Sequence, residues 1–129
     1  PQRWPHPAVI AFIQRDREWS AEAVTNVYLV GGDDRFKIDN LNYYAMVSEA
    51  PLNFYGHPWY SSSVAADRLA RSAYLLNRVG GVSDSFNNGG YDPYLRQALD
   101  QDQLPFQLIE TFSLPDGSRA KVYRRTRDE

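Results

Sequence analysis

Cysteine is missing from all 129 residues, which rules out disulfides and thiolate metal sites. The redox compartment stays open, because extracytoplasmic bacterial domains often lack cysteine too. Histidine is nearly missing. His6 and His57 each adjoin a proline, and no H-x-x-x-H pair exists, so neither zinc ligation nor histidine general-base work is expected. No G-x-S-x-G elbow presents a nucleophilic serine, and Ser61, Ser62 and Ser63 read as cap and loop residues. The G-x-G-x-x-G signature of dinucleotide sites is also absent. These absences lead to the expectation that the chain holds no catalytic residue, no metal and no cofactor. Long apolar runs are lacking as well: no stretch reaches the 18 residues or so that a membrane-spanning helix needs, and no signal segment is recognisable. The opening Pro1-Gln2-Arg3-Trp4, without an initiator methionine, is expected to be the start of a fragment of a larger protein.

Charge of one sign is lacking too. Fourteen basic and sixteen acidic residues give a net charge of -2 and are scattered, so no broad positive field exists to hold a phosphate backbone, and nucleic acid is not an expected partner. The one basic excess is Arg119, Lys121, Arg124, Arg125 and Arg127, interrupted by Val122 and Tyr123. That spacing reads as a solvated edge strand, with contact to anionic lipid as the alternative.

What is present argues for a folded body. Apolar residues make up 43% and aromatics 14%, nine of them tyrosines that can bury a ring and keep the hydroxyl wet. A chain of this length fits one domain, residues 1–129, around one core. Pro5 and Pro7 suit a helix entry, and Val9, Phe12 and Ile13 then mark one face of a helix near residues 7–18. Val27, Tyr28, Leu29 and Val30 read as a buried strand ending at Gly31 and Gly32, expected at the centre of the sheet. Asp39 or Asn40 can cap the next helix, with Leu41, Tyr44, Ala45 and Ser48 on one face before Pro51. Residues 52–60 make at best a short edge strand, and a short helix follows through Ala65, Leu69 and Ala70.

Residues 73–76 repeat the buried-strand pattern and end at Gly80 and Gly81, followed by an Asn-, Ser- and Gly-rich loop over 83–90. Asp92 and Pro93 open a helix whose apolar positions are Tyr94, Leu95, Ala98 and Leu99. The order of residues 106–112, then Leu114-Pro115-Asp116-Gly117-Ser118, then 119–126 predicts a β-hairpin, with Pro-Asp-Gly supplying the turn. Strands alternating with helices predict an α/β fold: a layered α/β/α, Rossmann-like sheet, mainly parallel at its centre and closed by a C-terminal antiparallel hairpin.

A ligand-binding candidate follows the first strand, where open α/β sheets bind ligands beyond the carboxyl ends of their strands. There Asp33, Asp34 and Asn40 could hold a sugar hydroxyl or a hydrated cation, although a tight turn with solvated acids accounts for the same residues. Gly89 and Gly90 could form a phosphate nest or a plain turn. Phe54, Tyr55, Trp59 and Tyr60 could form a carbohydrate-stacking platform, or serve as core and interface.

Four segments in this order carry a resemblance: the strand 27–30, Asn40-Leu41-Asn42-Tyr43-Tyr44, the strand 74–80, and the ending in which Leu114-Pro115-Asp116-Gly117-Ser118 precedes Val122-Tyr123-Arg124-Arg125. Over residues 8–126 the chain resembles the C-terminal soluble domain of bacterial, cyanobacterial-type membrane glycosyltransferases related to dolichyl-phosphate-mannose protein mannosyltransferases. His57 stands where that pattern has a basic residue, and Asn77-Arg78 replaces a lysine-containing strand end. The resemblance implies an accessory domain on the extracytoplasmic, periplasmic side of the membrane portion of the same polypeptide. It implies transfer from a polyprenyl-phosphate sugar by acidic residues outside this sequence, with this domain assisting recognition of a glycan or lipid-linked acceptor. Two other functions fit the residues alone: a freestanding carbohydrate or small-molecule binding module with its site at residues 31–40, and an oligomerisation domain using residues 52–60.

Overall fold

Val9, Ile10 and Ile13 are fully or almost fully buried on one face of the first helix, α1 (His6–Asp16), which carries proline in its first turn, where the missing N–H costs nothing. This helix opens a computed structural model that describes residues 4–17, 23–31, 38–56, 62–80 and 92–126. Its further elements are β1 (Thr25–Val30), α2 (Ile38–Val47), β2 (Leu52–Tyr55), α3 (Ser62–Ala70), β3 (Tyr74–Val79), α4 (Asp92–Asp100), β4 (Phe106–Ser113) and β5 (Arg119–Arg125). Helix and strand alternate through β3, and the chain ends in a hairpin.

The five strands form one mixed sheet in the order β2-β1-β3-β5-β4. β1 runs parallel to β2 and to β3, pairing Val27 with Phe54 and with Tyr74. β5 is antiparallel to β3 and to β4, pairing Leu76 with Val122 and Phe112 with Ala120. The parallel centre and antiparallel C-terminal hairpin thus agree with the sequence reading. The central strand, however, is β3 rather than β1. Both carry an apolar run and are almost wholly buried, and that pattern does not distinguish the middle strand from its neighbour.

Alternation along the strands divides the core in two. Val27, Leu29, Phe54, Tyr74, Leu76, Ala120 and Val122 share one cluster with α1 and α2, whereas Tyr28, Val30, Leu75 and Phe106 share the other with Leu69 of α3 and Leu95 of α4. The single core expected from size is therefore two clusters separated by the sheet. In β4 a bulge between Leu108 and Glu110 changes which face its residues occupy, so Phe106 joins the second cluster while Phe112 packs against the first.

Four local expectations need correction. α2 begins at Ile38, so Asp39 and Asn40 lie inside its first turn and do not cap it, and Ser48 is exposed just beyond its end. On α4, Leu95 is buried but Tyr94 is 57% exposed, because adjacent residues on a helix point about 100° apart. β5 is an interior strand, not an edge, and two of its basic residues have partners, Arg124 on Asp16 and Arg125 on the carbonyls of Ser72 and Leu69. Phe54 and Tyr55 face opposite clusters and cannot belong to one stacking platform; Trp59 and Tyr60 lie outside the described residues.

The true edge at β2 is protected by a side chain. Asn42 of α2 donates through Nδ2 to the carbonyl of Phe54 at 2.9 Å and accepts the Phe54 N–H at 2.8 Å, so its amide stands in for a sixth strand. Replacing Leu76, fully buried at the middle of the central strand, tests the packing account. Leu76→Ala is expected to lower stability by about 3 kcal/mol in urea denaturation, while Met46→Ala on the exposed side of α2 stays within about 0.5 kcal/mol.

Candidate functional site

From β1 the chain leaves through α2 to reach β2 on one side, and from β3 it leaves through α4 toward β5 and β4 on the other. The carboxyl ends of β1 and β3 are thus the place where the connections diverge, and such a divergence opens a crevice in parallel sheets. Gly31 ends β1 with φ 79° and Gly80 follows β3 with φ 80°, a left-handed conformation that side chains resist. Gly31 has a second reason to be glycine: a Cβ there would stand 2.2 Å from Nη2 of Arg96 and 2.8 Å from the carbonyl oxygen of Arg78.

Three polar side chains gather at these strand ends. Arg78, the penultimate residue of β3, is completely buried. Its Nη2 donates to Oδ2 of Asp116 in the hairpin turn at 2.8 Å, and its Nη1 lies 3.4 Å from the carbonyl oxygen of Gly31. One guanidinium thereby spans from β1 to the β4–β5 turn. Asp116 also accepts from the backbone N–H of Ser118 at 2.9 Å and from the Ser118 hydroxyl. Burial by itself would raise the Asp116 carboxyl, but the bonds from Ser118 and Arg78 prevail and bring it down from an ordinary 3.8 to about 2.

The second side chain, Arg96 of α4, reaches across Gly31 and donates from Nη2 to the carbonyl of Arg78 at 3.3 Å. The third, Asn77, is 2% exposed on the opposite face of β3 from Arg78, and its Oδ1 accepts no hydrogen bond among the described residues. The half-buried Arg96 guanidinium at the mouth of a parallel sheet is a donor of the kind that hydroxyl or phosphate-bearing ligands use, whereas Asn77 is enclosed.

Of the residues singled out in the sequence, Asn40 is half-buried in the first turn of α2, while Asp33 and Asp34 lie outside the described residues, as do Gly89, Gly90 and His57. Sequence reading singled out the carboxyl end of β1 and gave no role to Arg78, Arg96 or Asn77. His6 is buried and stacks on Tyr44 with ring centroids 5.3 Å apart, a packing role.

At the opposite end of the sheet, Asp16 accepts from the Tyr74 hydroxyl and, at 2.8 Å, from Arg124, while Arg17 donates to the Thr25 hydroxyl at 2.6 Å. Burial and the bond to Asp16 push the Tyr74 hydroxyl up, which keeps it protonated and unsuited to nucleophilic work. Among the described residues no group of three His, Asp or Glu is placed to hold a metal ion, and no helix is long and apolar enough to cross a membrane. No family model matches the chain, and no curated protein matches it.

Because the Asp116 carboxyl titrates lower in the folded chain than in the unfolded one, its contribution to stability is complete above about pH 4 and disappears as pH falls through about 2. Asp116→Asn leaves the buried Arg78 without its counter-charge and is expected to cost about 3 kcal/mol at pH 7 in urea denaturation, a difference that narrows toward pH 2. Equal stabilities at pH 7 would contradict the pairing.

Proposed function

We propose that this chain is an accessory recognition domain of a polyprenyl-phosphate-sugar-dependent membrane glycosyltransferase, one that assists acceptor binding and contributes no catalytic residue or cofactor. The observation that carries the recognition role is the divergence of the chain at the ends of β1 and β3, where the half-buried Arg96 reaches across Gly31 on a backbone held by the Arg78–Asp116 pair. The glycosyltransferase setting is supported by the order of the four resembling segments, and two of these have defined physical roles in the fold. In one, Asn42 satisfies the edge strand; in the other, Asp116 receives the buried arginine.

In this reading the sheet is the middle of a layered α/β/α, Rossmann-like arrangement, supported by the separate core clusters that α1 and α2, and α3 and α4, join. The domain stands on the extracytoplasmic side of its parent's membrane portion, and its ligand is a glycan or lipid-linked acceptor. In the sequence Asp33 and Asp34 come two glycines after β1, and Asn40 lies in the first turn of α2, so all three remain candidates for contacting sugar hydroxyls.

Titrating the chain with a water-soluble short-chain prenyl phosphate and with its glycosylated form, followed by amide chemical shifts, tests the reading. Perturbation of Gly31, Asn77 and Gly80 is expected, with affinity falling at least about tenfold, roughly the loss of one charge-assisted hydrogen bond, in Arg96→Gln. An absence of shifts at those three residues with both ligands would contradict it. The parent reading frame is further expected to encode hydrophobic spans upstream of Pro1.

A further inference from the structure

A groove of about 690 Å³ opens between the C-terminal turn of α4 and the hairpin strands β5 and β4, and neither Arg78 nor Arg96 lines it. Its apolar surface includes the half-buried ring of Tyr123 and the side chain of Leu108, which is 46% exposed. Around them stand Asp100, Asp102, Gln107 and Lys121.

The walls are held in place. Asp102 adopts φ 55° at the end of α4, where its N–H donates to the Leu99 carbonyl at 3.1 Å and the next N–H, of Gln103, donates to Ala98 at 2.8 Å. This closure fixes the backbone that carries both carboxylates. On the facing wall, the Asn77 side chain bonds the Tyr123 hydroxyl and restrains the ring, while burial raises that hydroxyl.

The lining selects among ligand classes. In the lining two carboxylates stand against one ammonium, which disfavours phosphates and other anions, and the Arg125 guanidinium over the Phe106 ring is engaged by the carbonyls of Ser72 and Leu69. An aromatic and aliphatic surface ringed by paired acceptors, an amide and a single ammonium matches a molecule with an apolar C–H face and a periphery of hydroxyls. An extended peptide adding to the neighbouring β4 edge is disfavoured, because that edge is bulged at Leu108/Glu110 and the Thr111 N–H is occupied by the Glu110 carboxylate at 2.9 Å. We propose that this groove is a binding site for an uncharged saccharide, stacked against Tyr123 and hydrogen-bonded by Asp100, Asp102 and Lys121.

The test is titration of the 129-residue chain with uncharged di- and trisaccharides of glucose, mannose and galactose, read by saturation-transfer and amide shifts. At least one saccharide is expected to bind, with shifts at Asp100, Asp102, Lys121 and Tyr123. Asp102→Asn and Lys121→Ala, at the groove rim, are expected to weaken binding at least about fivefold each, the scale of a single hydrogen bond, with unchanged far-ultraviolet circular dichroism. Tyr123→Phe keeps the ring and is expected to retain most of the affinity. Arg96→Gln is expected to leave it unchanged, which separates this site from the crevice. Failure of every saccharide to perturb the groove, shifts confined to Gly31 and Gly80, or occupation of the groove by an extended peptide in place of any saccharide would overturn the proposal.

Discussion

A fully buried guanidinium is the constraint to which the upper end of the sheet is fitted. Removing an arginine from water costs several kcal/mol unless its donors and its charge are answered, and Arg78 lies on the central strand where no solvent reaches it. Its answer comes from two distant parts of the chain. The Gly31 carbonyl approaches from β1, and Asp116 approaches from the hairpin turn, itself fixed by Ser118. The same contacts explain the neighbouring sequence: glycine at 31, where a Cβ would stand 2.8 Å from the Arg78 carbonyl oxygen at a positive φ, and aspartate between Pro115 and Gly117 in the turn. The ends of β1, β3 and the hairpin are thereby tied together, so a ligand in the crevice meets a preformed backbone.

Other arginines act likewise and explain why a chain with fourteen basic residues presents no basic field. Arg125 closes the end of α3 through the carbonyls of Leu69 and Ser72 while lying over the Phe106 ring at 4.6 Å. Arg68 donates to the carbonyl beyond β2 at Gly56, and Arg124 joins β5 to α1 through Asp16. These cations connect helix ends to strand ends. The two candidate sites differ in charge: the crevice offers a guanidinium, the groove two carboxylates and an ammonium.

The type and order of the elements were legible because they rest on local signals. Apolar runs followed by glycine marked β1 and β3, Pro-Asp-Gly marked the hairpin, and proline marked the entry to α1. The position of a strand within the sheet was not legible, since β1 and β3 carry the same apolar pattern and only pairing with β5 makes β3 central. Arg78 was hidden for a related reason. A charged residue at a strand end reads as solvated, and its counter-charge stands 38 residues away. Arg96 was equally silent, since its importance comes from the space above Gly31. Asn42 lay within a segment noticed for its resemblance, yet its work on the edge strand depends on how α2 packs beside β2. The carboxyl end of β1 was singled out in the sequence only through the general geometry of open α/β sheets, and the residues named there, Asp33 and Asp34, lie outside the described residues.

The claim that Arg78 and Asp116 act as one unit is tested most directly by a double-mutant cycle with Arg78→Met and Asp116→Asn, read by urea denaturation at pH 7. The account predicts that the double substitution costs little more than Asp116→Asn alone, with a coupling energy of at least about 1.5 kcal/mol between the two positions. Costs that add to within about 0.3 kcal/mol would show that the buried guanidinium is stabilised elsewhere, and would contradict the account of how the strand ends are held together.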